Sequence, residues 1–223
     1  MTIDRIFSEH PVFKSLDEVS RQRVICASTS KDYKKGQYLV HQGEVWPYLF
    51  LILLGKVVAE KDSAEGRSLI AASFLPGEVF WGLAFFTDNT PMPAALKTTE
   101  DTRVLLWSRQ DLELIIQNNG RFSWELGKLA IQRMQQASEI LESMTFHPIA
   151  VRLARLLISI SGSDSHNPIE RNLTLDDMAS RVGSTREMVC RLLYKFSDEG
   201  LIKINRTEFS ITDPDSLLNR AQK

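Results

Sequence analysis

The stretch LTLDDMASRVGSTREMVCRLLYKFSDEGLIKI, from Leu173 to Ile204, decides how the C-terminal part of this chain folds. Thr174 can cap a helix whose apolar positions include Met178, Ala179 and Val182, and Gly183 supplies the positive-φ turn between two helices. A second helix follows within a few residues. Met188, Val189, Leu192, Leu193 and Phe196 give it one apolar face, which leaves Thr185, Arg186, Glu187, Arg191 and Lys195 on its other faces. Gly200-Leu201-Ile202 ends this helix and opens a strand, Ile202 to Ile204, that can pair with Phe209-Ser210-Ile211 across a turn at Asn205 to Thr207. Cap, glycine turn, charged helix and hairpin, in that order, predict a winged helix-turn-helix.

The charged helix carries the side chains that duplex DNA requires. Arginine can make two hydrogen bonds to guanine O6 and N7, and a carboxylate can accept from cytosine N4, so Arg186, Glu187 and Arg191 form a base-reading set. Thr174, Ser184, Thr185 and Lys195 suit phosphate contacts. An ordinary helical hairpin with solvated arginines would account for the charges but not for the hairpin that follows.

Upstream, His147-Pro148 interrupts the helical pattern, because proline cannot continue the ladder and biases the residue before it away from helical angles. Ile149 to Ile160 reads as a helix, and Ser161 to Asn172 as a polar loop. Before the break a long helix is predicted from about Phe122 to Met144, with Ala130, Met134, Ala137, Leu141 and Met144 spaced 4, 3, 4, 3. That stripe suits pairing with a second copy, and the small alanines allow close approach; packing within its own domain is the alternative.

From Tyr33 to Trp107 the pattern is β-rich: Tyr38 to Val40, Leu49 to Val58, Ser68 to Leu75, Ala94 to Thr98 and Val104 to Trp107, broken at Gly36, Gly43, Gly55, Gly66 and Gly77. Turn signals at such short intervals predict an antiparallel roll, not βαβ units. Ser15 with Glu18 predicts a capping box for a helix from Leu16 to Ala27, and Ser108 with Asp111 a second one. Asn118-Asn119-Gly120 would end that second helix with left-handed backbone. The predicted class is α+β, with a roll over residues 1–120, a dimerisation helix over 121–146 and a winged head over 147–223.

The bulk properties narrow the setting. A formal net charge of −1 over 223 residues means that any nucleic-acid binding must use a local cationic surface. Cys26 and Cys190 have neither disulfide-framework nor metal-site spacing, no secretory signal opens the chain, and no run approaches the ~20 apolar residues of a membrane span, so a cytoplasmic protein with no metal site is expected. P-loop, GxSxG and HExxH motifs are missing, and no stretch is left over for a catalytic domain, so an enzyme is not expected.

The segment VGSTREMVCRLLYKFSDEGLI resembles the recognition segment of the Crp/Fnr transcription regulators, and the resemblance extends over almost the whole chain. Lys35-Gly36, Gln42-Gly43-Glu44, Leu54-Gly55-Lys56, Pro76-Gly77-Glu78 and Glu100-Asp101-Thr102 resemble the turns of that family's β-roll in order and approximate spacing. The resemblance implies a cyclic-nucleotide-binding-like jelly roll, a central helix of a homodimer, and a recognition helix in which Arg186, Glu187 and Arg191 match base-contacting positions. It also implies a palindromic operator with TGTGA-like or TTGAT-like half-sites, and RNA polymerase as a partner if the protein activates transcription.

The sensor departs from the pattern of the cyclic-AMP-binding members. Trp81-Gly82 stands where the ribose-binding Gly-Glu pair would be, and Met92-Pro93 where Arg-Ser would hold the cyclic phosphate. A buried phosphate without counter-charge is costly, so cyclic AMP is not expected. An iron-sulfur cluster is not expected either, since Cys26 is the only cysteine in the N-terminal half. The candidate effector pocket is Phe80, Trp81, Gly82, Leu83, Met92 and Pro93. Haem is one alternative, with Phe85, Phe86 and Trp107 adding apolar walls and His10, His41 or His147 as axial ligands. Another small effector, or none, is a further alternative, and a protein-binding scaffold or enzyme regulatory subunit without DNA contact is a third.

Overall fold

Strands that alternate between two apolar faces need a core on each side, and the N-terminal part of the chain supplies both. The computed structural model describes residues 3–63, 68–161, 169–170, 173–205 and 208–222. The chain forms two compact units, one of residues 1–61 with 71–137 and the other of 62–70 with 138–223. The elements are α1 (Ile3–Glu9), α2 (Pro11–Lys14), α3 (Glu18–Ala27), β1 (Thr29–Tyr33), β2 (Tyr38–Val40), β3 (Tyr48–Leu54), β4 (Val57–Asp62), β5 (Ser68–Phe74), β6 (Val79–Trp81), β7 (Ala95–Thr98), β8 (Thr102–Ser108), α4 (Arg109–Asn118), α5 (Gly120–Phe146), α6 (Ile149–Ser161), β9 (Ile169–Glu170), α7 (Leu175–Val182), α8 (Arg186–Asp198), β10 (Ile202–Ile204), β11 (Glu208–Ile211) and α9 (Pro214–Gln222).

Two four-stranded sheets, ordered β1-β8-β3-β6 and β2-β7-β4-β5, make the predicted roll. In β3 and β8, Leu49, Leu51, Leu105 and Trp107 join a core with Phe7, Phe13, Val24 and Phe122 from the helices. Their neighbours Phe50, Ile52, Val104 and Leu106 face the other way, into a core with Trp46, Phe74, Met92 and Leu96. Trp107 is fully buried and its indole N–H donates to the Val24 carbonyl at 2.7 Å, so the ring's one polar atom is satisfied.

The local signals were right in some places and wrong in others. Ser108 and Asp111 do form the capping box of α4. Ser15 does not cap α3: Asp17 is the cap, accepting from Ser20 N, while the Ser15 hydroxyl donates to Val12 O at the end of α2. Asp17 prevails because its carboxylate stands one residue before the first helical turn, where the free amides are. Nor does left-handed backbone end α4. Asn119 is extended, with φ −120°, and its side-chain oxygen accepts from Phe122 N, so one residue closes α4 and starts α5 two positions before Phe122.

The C-terminal unit holds α6 to α9 and a small sheet, β10-β11-β9. Leu153, Leu157, Met178, Val189, Phe196, Phe209 and Leu217 share its core. Strand β9, within the expected polar loop, and α9 were not anticipated; the remainder of that loop, with Gly66 and the Arg206-Thr207 part of the wing turn, lies outside the described residues.

Candidate nucleic-acid interface

Helix α7 begins at a complete capping box. Thr174 Oγ1 accepts from Asp177 N at 3.1 Å, and the Asp177 carboxylate accepts from both Thr174 N and its hydroxyl, at 2.9 and 2.6 Å. The helix ends at Gly183, whose φ of +61° lies in the left-handed region. A Cβ there would stand 2.7 Å from the sulfur of Met144, whose flexible side chain would have to shift, so the backbone conformation is the main reason for glycine and the space a lesser one. Thr185 then caps α8 by accepting from Met188 N at 3.3 Å.

Val189, Leu193 and Phe196 are buried and seat α8 on the core, which turns the opposite face outward. Arg186, Glu187, Arg191 and Lys195 are all exposed on it. Arg186 Nη1 lies 3.3 Å from the Asp176 carboxylate on α7. Lys195 is 3.9 Å from Glu199, whose other oxygen takes Arg220 at 2.7 Å. Of the residues expected at phosphates, Thr185 is exposed, Ser184 is half-buried with its amide bonded to Ala179 O, and the Thr174 hydroxyl is engaged by Asp177. Sequence reasoning missed Asp176 and Tyr194. Tyr194 is 64% exposed and follows Glu187 and Arg191 at i+7 and i+3, a spacing that was available to find it.

The wing follows directly. Ile202 pairs with Ile211 and Ile204 with Phe209, while Asn205 closes the turn through backbone and side-chain bonds to Glu208. Arg152 on α6 anchors the motif from behind, donating to Val182 O at 2.8 Å and to the Met144 and His147 carbonyls at 3.0 Å. Burial lowers the pKa of this guanidinium from its ordinary value. A single side chain thereby satisfies the open carbonyl ends of both α5 and α7.

On α5, Ala130, Met134, Ala137 and Leu141 are exposed, Met134 by 66% and Leu141 by 68%, and Trp124 and Ile131 are exposed as well. Met144 is half-buried against Gly183.

In the roll, the six candidate pocket residues do not converge. Phe80 packs inward on Phe74, ring centroids 4.3 Å apart, and Met92 is buried beside the same aromatic core. Trp81 joins the opposite core, because adjacent strand residues face opposite ways. Leu83 and Pro93 are exposed. Gly82 is buried, and a Cβ on it would stand 1.8 Å from the Trp46 carbonyl oxygen, so no longer side chain fits where a ribose contact would be needed. Arg133 of α5 reaches Phe74 of this core, but Glu78 already holds it at 2.9 Å. The residues present do not match a cyclic-nucleotide cassette. As for the histidines, His10 Nδ1 accepts from Val12 N, His41 lies against Tyr38, and His147 contacts Arg155. Phe85 and Trp107 are buried in the core shared with Phe7, Phe13 and Phe122, and Phe86 is exposed. Among the described residues no group of three or more His, Cys, Asp or Glu could hold a metal ion, and no helix is long and apolar enough to cross a membrane.

The chain matches the family model of the cyclic nucleotide-binding domain over residues 30–119 and that of the Crp-like helix-turn-helix domain over residues 151–220. It is 23% identical over 225 residues to a CRP-like cAMP-activated global transcriptional regulator of Mycobacterium tuberculosis, covering 99% of this chain and 100% of that one. It is 25% identical over 172 residues to the cyclic AMP receptor protein of Thermus thermophilus, covering 77% and 78%. Among solved structures, the c-di-GMP-responsive global regulator of Xanthomonas campestris superposes with a TM-score of 0.77 at 19% identity, over 87% of this chain and 99% of that one. A CRP/FNR-family transcriptional regulator from Thermus thermophilus gives 0.71 at 19% identity, over 87% and 99%. These structures share its fold.

Proposed function

Because the chain belongs to the Crp/Fnr family of transcription regulators, whose members bind DNA and are not enzymes, we propose that it acts in the cytoplasm as a homodimer on a palindromic operator. Arg186, Glu187 and Arg191 read base edges in the major groove, and Ser184, Thr185, Lys195 and the Thr174 end of α7 meet phosphates. The observation that carries this reading is the outward face of α8: Arg186, Glu187 and Arg191 are exposed while Val189, Leu193 and Phe196 are buried beneath them. The pairing of two copies is supported by the exposed stripe Ala130, Met134, Ala137 and Leu141, which would otherwise leave large apolar side chains in water.

The roll, on this reading, does not take cyclic AMP. Trp46, Phe50, Phe74, Phe80 and Met92 fill its interior, and Gly82 and Met92-Pro93 offer neither a ribose acceptor nor a phosphate counter-charge. Regulation then comes from another effector or from the amount of protein, and activation would require a surface for RNA polymerase.

The test is selection of duplexes from a random library, followed by affinity measurements on the selected operator. A palindromic consensus is expected, with half-sites about one helical turn apart. Arg191→Ala should lose roughly 10- to 100-fold at one base pair per half-site and tolerate substitution there. Absence of any enriched sequence, or unchanged preference in the variant, would overturn the reading. Calorimetric titration with cyclic AMP should give no saturable heat.

A further inference from the structure

We propose that Asp176, the second residue of α7, is a positioning residue for Arg186 and thereby sets how sharply the recognition helix discriminates at one base pair. This rests on the reading of Arg186 as a base contact. The two adjacent carboxylates at the start of α7 are employed differently. Asp177 is consumed by the capping box, accepting both the amide and the hydroxyl of Thr174. Asp176 takes no part in the cap; its Oδ2 lies 3.3 Å from Nη1 of Arg186, ten residues on and across the turn. Both side chains remain about two-thirds exposed, at 67% and 65%.

Arg186 is the first residue of α8, and the N-terminal residues of a recognition helix are those that enter the groove. An arginine there has several rotatable bonds, and each rotamer frozen on binding subtracts from the affinity for the right base. The carboxylate holds one guanidinium nitrogen, which leaves the other donors of the fork for a base edge. It acts a second time through charge. The first helix of the motif crosses the sugar-phosphate backbone, so an acidic residue in its first turn opposes phosphates on any duplex, while the rotamer it holds on Arg186 favours the matching base alone. Asp176 therefore lowers binding to all sequences and raises the contrast between right and wrong ones.

The experiment compares Asp176→Asn, Arg186→Ala and the double variant with wild type, on the selected operator, on duplexes carrying each single base change, and on an unrelated duplex. Asp176→Asn should bind the unrelated duplex a few-fold more tightly and lose about three- to fivefold of discrimination at the base pair affected by Arg186→Ala, and only there. In the Arg186→Ala background the same change should leave discrimination untouched. Thermal unfolding of each variant, read by circular dichroism, should stay close to wild type, since Thr174 and Asp177 keep the cap of α7 and only one charge in its first turn is lost. If Asp176→Asn leaves discrimination unchanged while Arg186→Ala loses it, the pair is an ordinary surface ion pair and the proposal fails. If Asp176→Asn alters a base pair that Arg186→Ala does not, Asp176 reads a base itself and the proposal also fails. If Arg186→Ala has no effect on preference, the underlying reading of Arg186 is what fails.

Discussion

Arg133 of α5 donates from Nη2 to Glu78 Oε1 at 2.9 Å while its guanidinium carbon lies 5.2 Å from the centre of the Phe74 ring. The arginine side chain is 15% exposed and the glutamate 34%, and Arg133 Nε is buried without a partner among the described residues. Glu78 also accepts from Leu75 N at 2.8 Å, so the same carboxylate closes the turn before β6.

Removing one member of this pair should not cost the same as removing the other. Glu78→Ala leaves a largely buried guanidinium uncompensated and opens the turn, an expected loss of about 2 kcal/mol. Arg133→Met keeps an apolar stem on Phe74 and leaves a carboxylate that still reaches water and Leu75 N, for an expected loss of about 1 kcal/mol or less. Urea unfolding of the two variants checks this, and equal losses would contradict it.

His10 carries a pH dependence of known sign. Burial, then the nearby Arg133 charge, lowers its pKa below the ordinary 6.5, partly opposed by Glu78. The folded chain thus favours the neutral ring, whose Nδ1 accepts from Val12 N at 3.3 Å as the cap of α2. Below the ordinary value the unfolded chain binds the proton first, so stability is fully present above about pH 6.5 and declines as the pH falls toward the lowered folded value. His10→Asn, which keeps a good cap, should flatten that part of the curve in unfolding measured at pH 7.5 and pH 5.5. An unaltered slope would count against His10 as its source.

Gly183→Ala should destabilise the C-terminal unit by about 1–2 kcal/mol from the left-handed backbone alone, with a further steric cost from Met144. In a Met144→Ala background the steric part should vanish and the conformational part persist. Thermal melts of the four proteins separate the two contributions; identical costs in both backgrounds would remove Met144 from the account.

If α5 pairs with a second copy as proposed, Met134→Lys or Leu141→Lys should halve the native mass and weaken operator binding together, since each would place a charge in the proposed seam. Sedimentation velocity alongside binding isotherms gives the answer. Full dimer mass in both variants would place the interface elsewhere.

How much of this was legible in the residues differs from element to element. The helix-turn-helix could be read because its signals are local: Thr174 as a cap just before the apolar positions of α7, Gly183 at the left-handed turn between the helices, and apolar residues at helical spacing on α8. The roll could be read from glycine turns and alternating apolar runs, but β1 and β6 were missed, since Thr29 to Asp32 are exposed and Val79 to Trp81 is three residues long. Helix α9 was missed as well; Leu217 and Ala221 are buried in the core that α6 also lines, a long-range contact that leaves only a faint local pattern.

By itself, then, the amino-acid order determined the succession of roll, long helix and helix-turn-helix, the turn at Gly183 and the identity of the outward charges on α8, because caps, left-handed glycines and helical periodicity depend on residues within a turn or two of one another. Tertiary structure alone decided which carboxylate meets Arg186, that Arg152 gathers the carbonyl ends of α5 and α7, and that Trp46 closes the space behind Gly82. Asp176 and Asp177 are chemically the same and adjacent; the three-residue spacing from Thr174 assigns Asp177 to the cap, whereas only the packing of α8 against α7 brings Asp176 to an arginine. Such assignments depend on distances between segments far apart in the chain, and those distances exist only once the apolar faces have closed on a shared core.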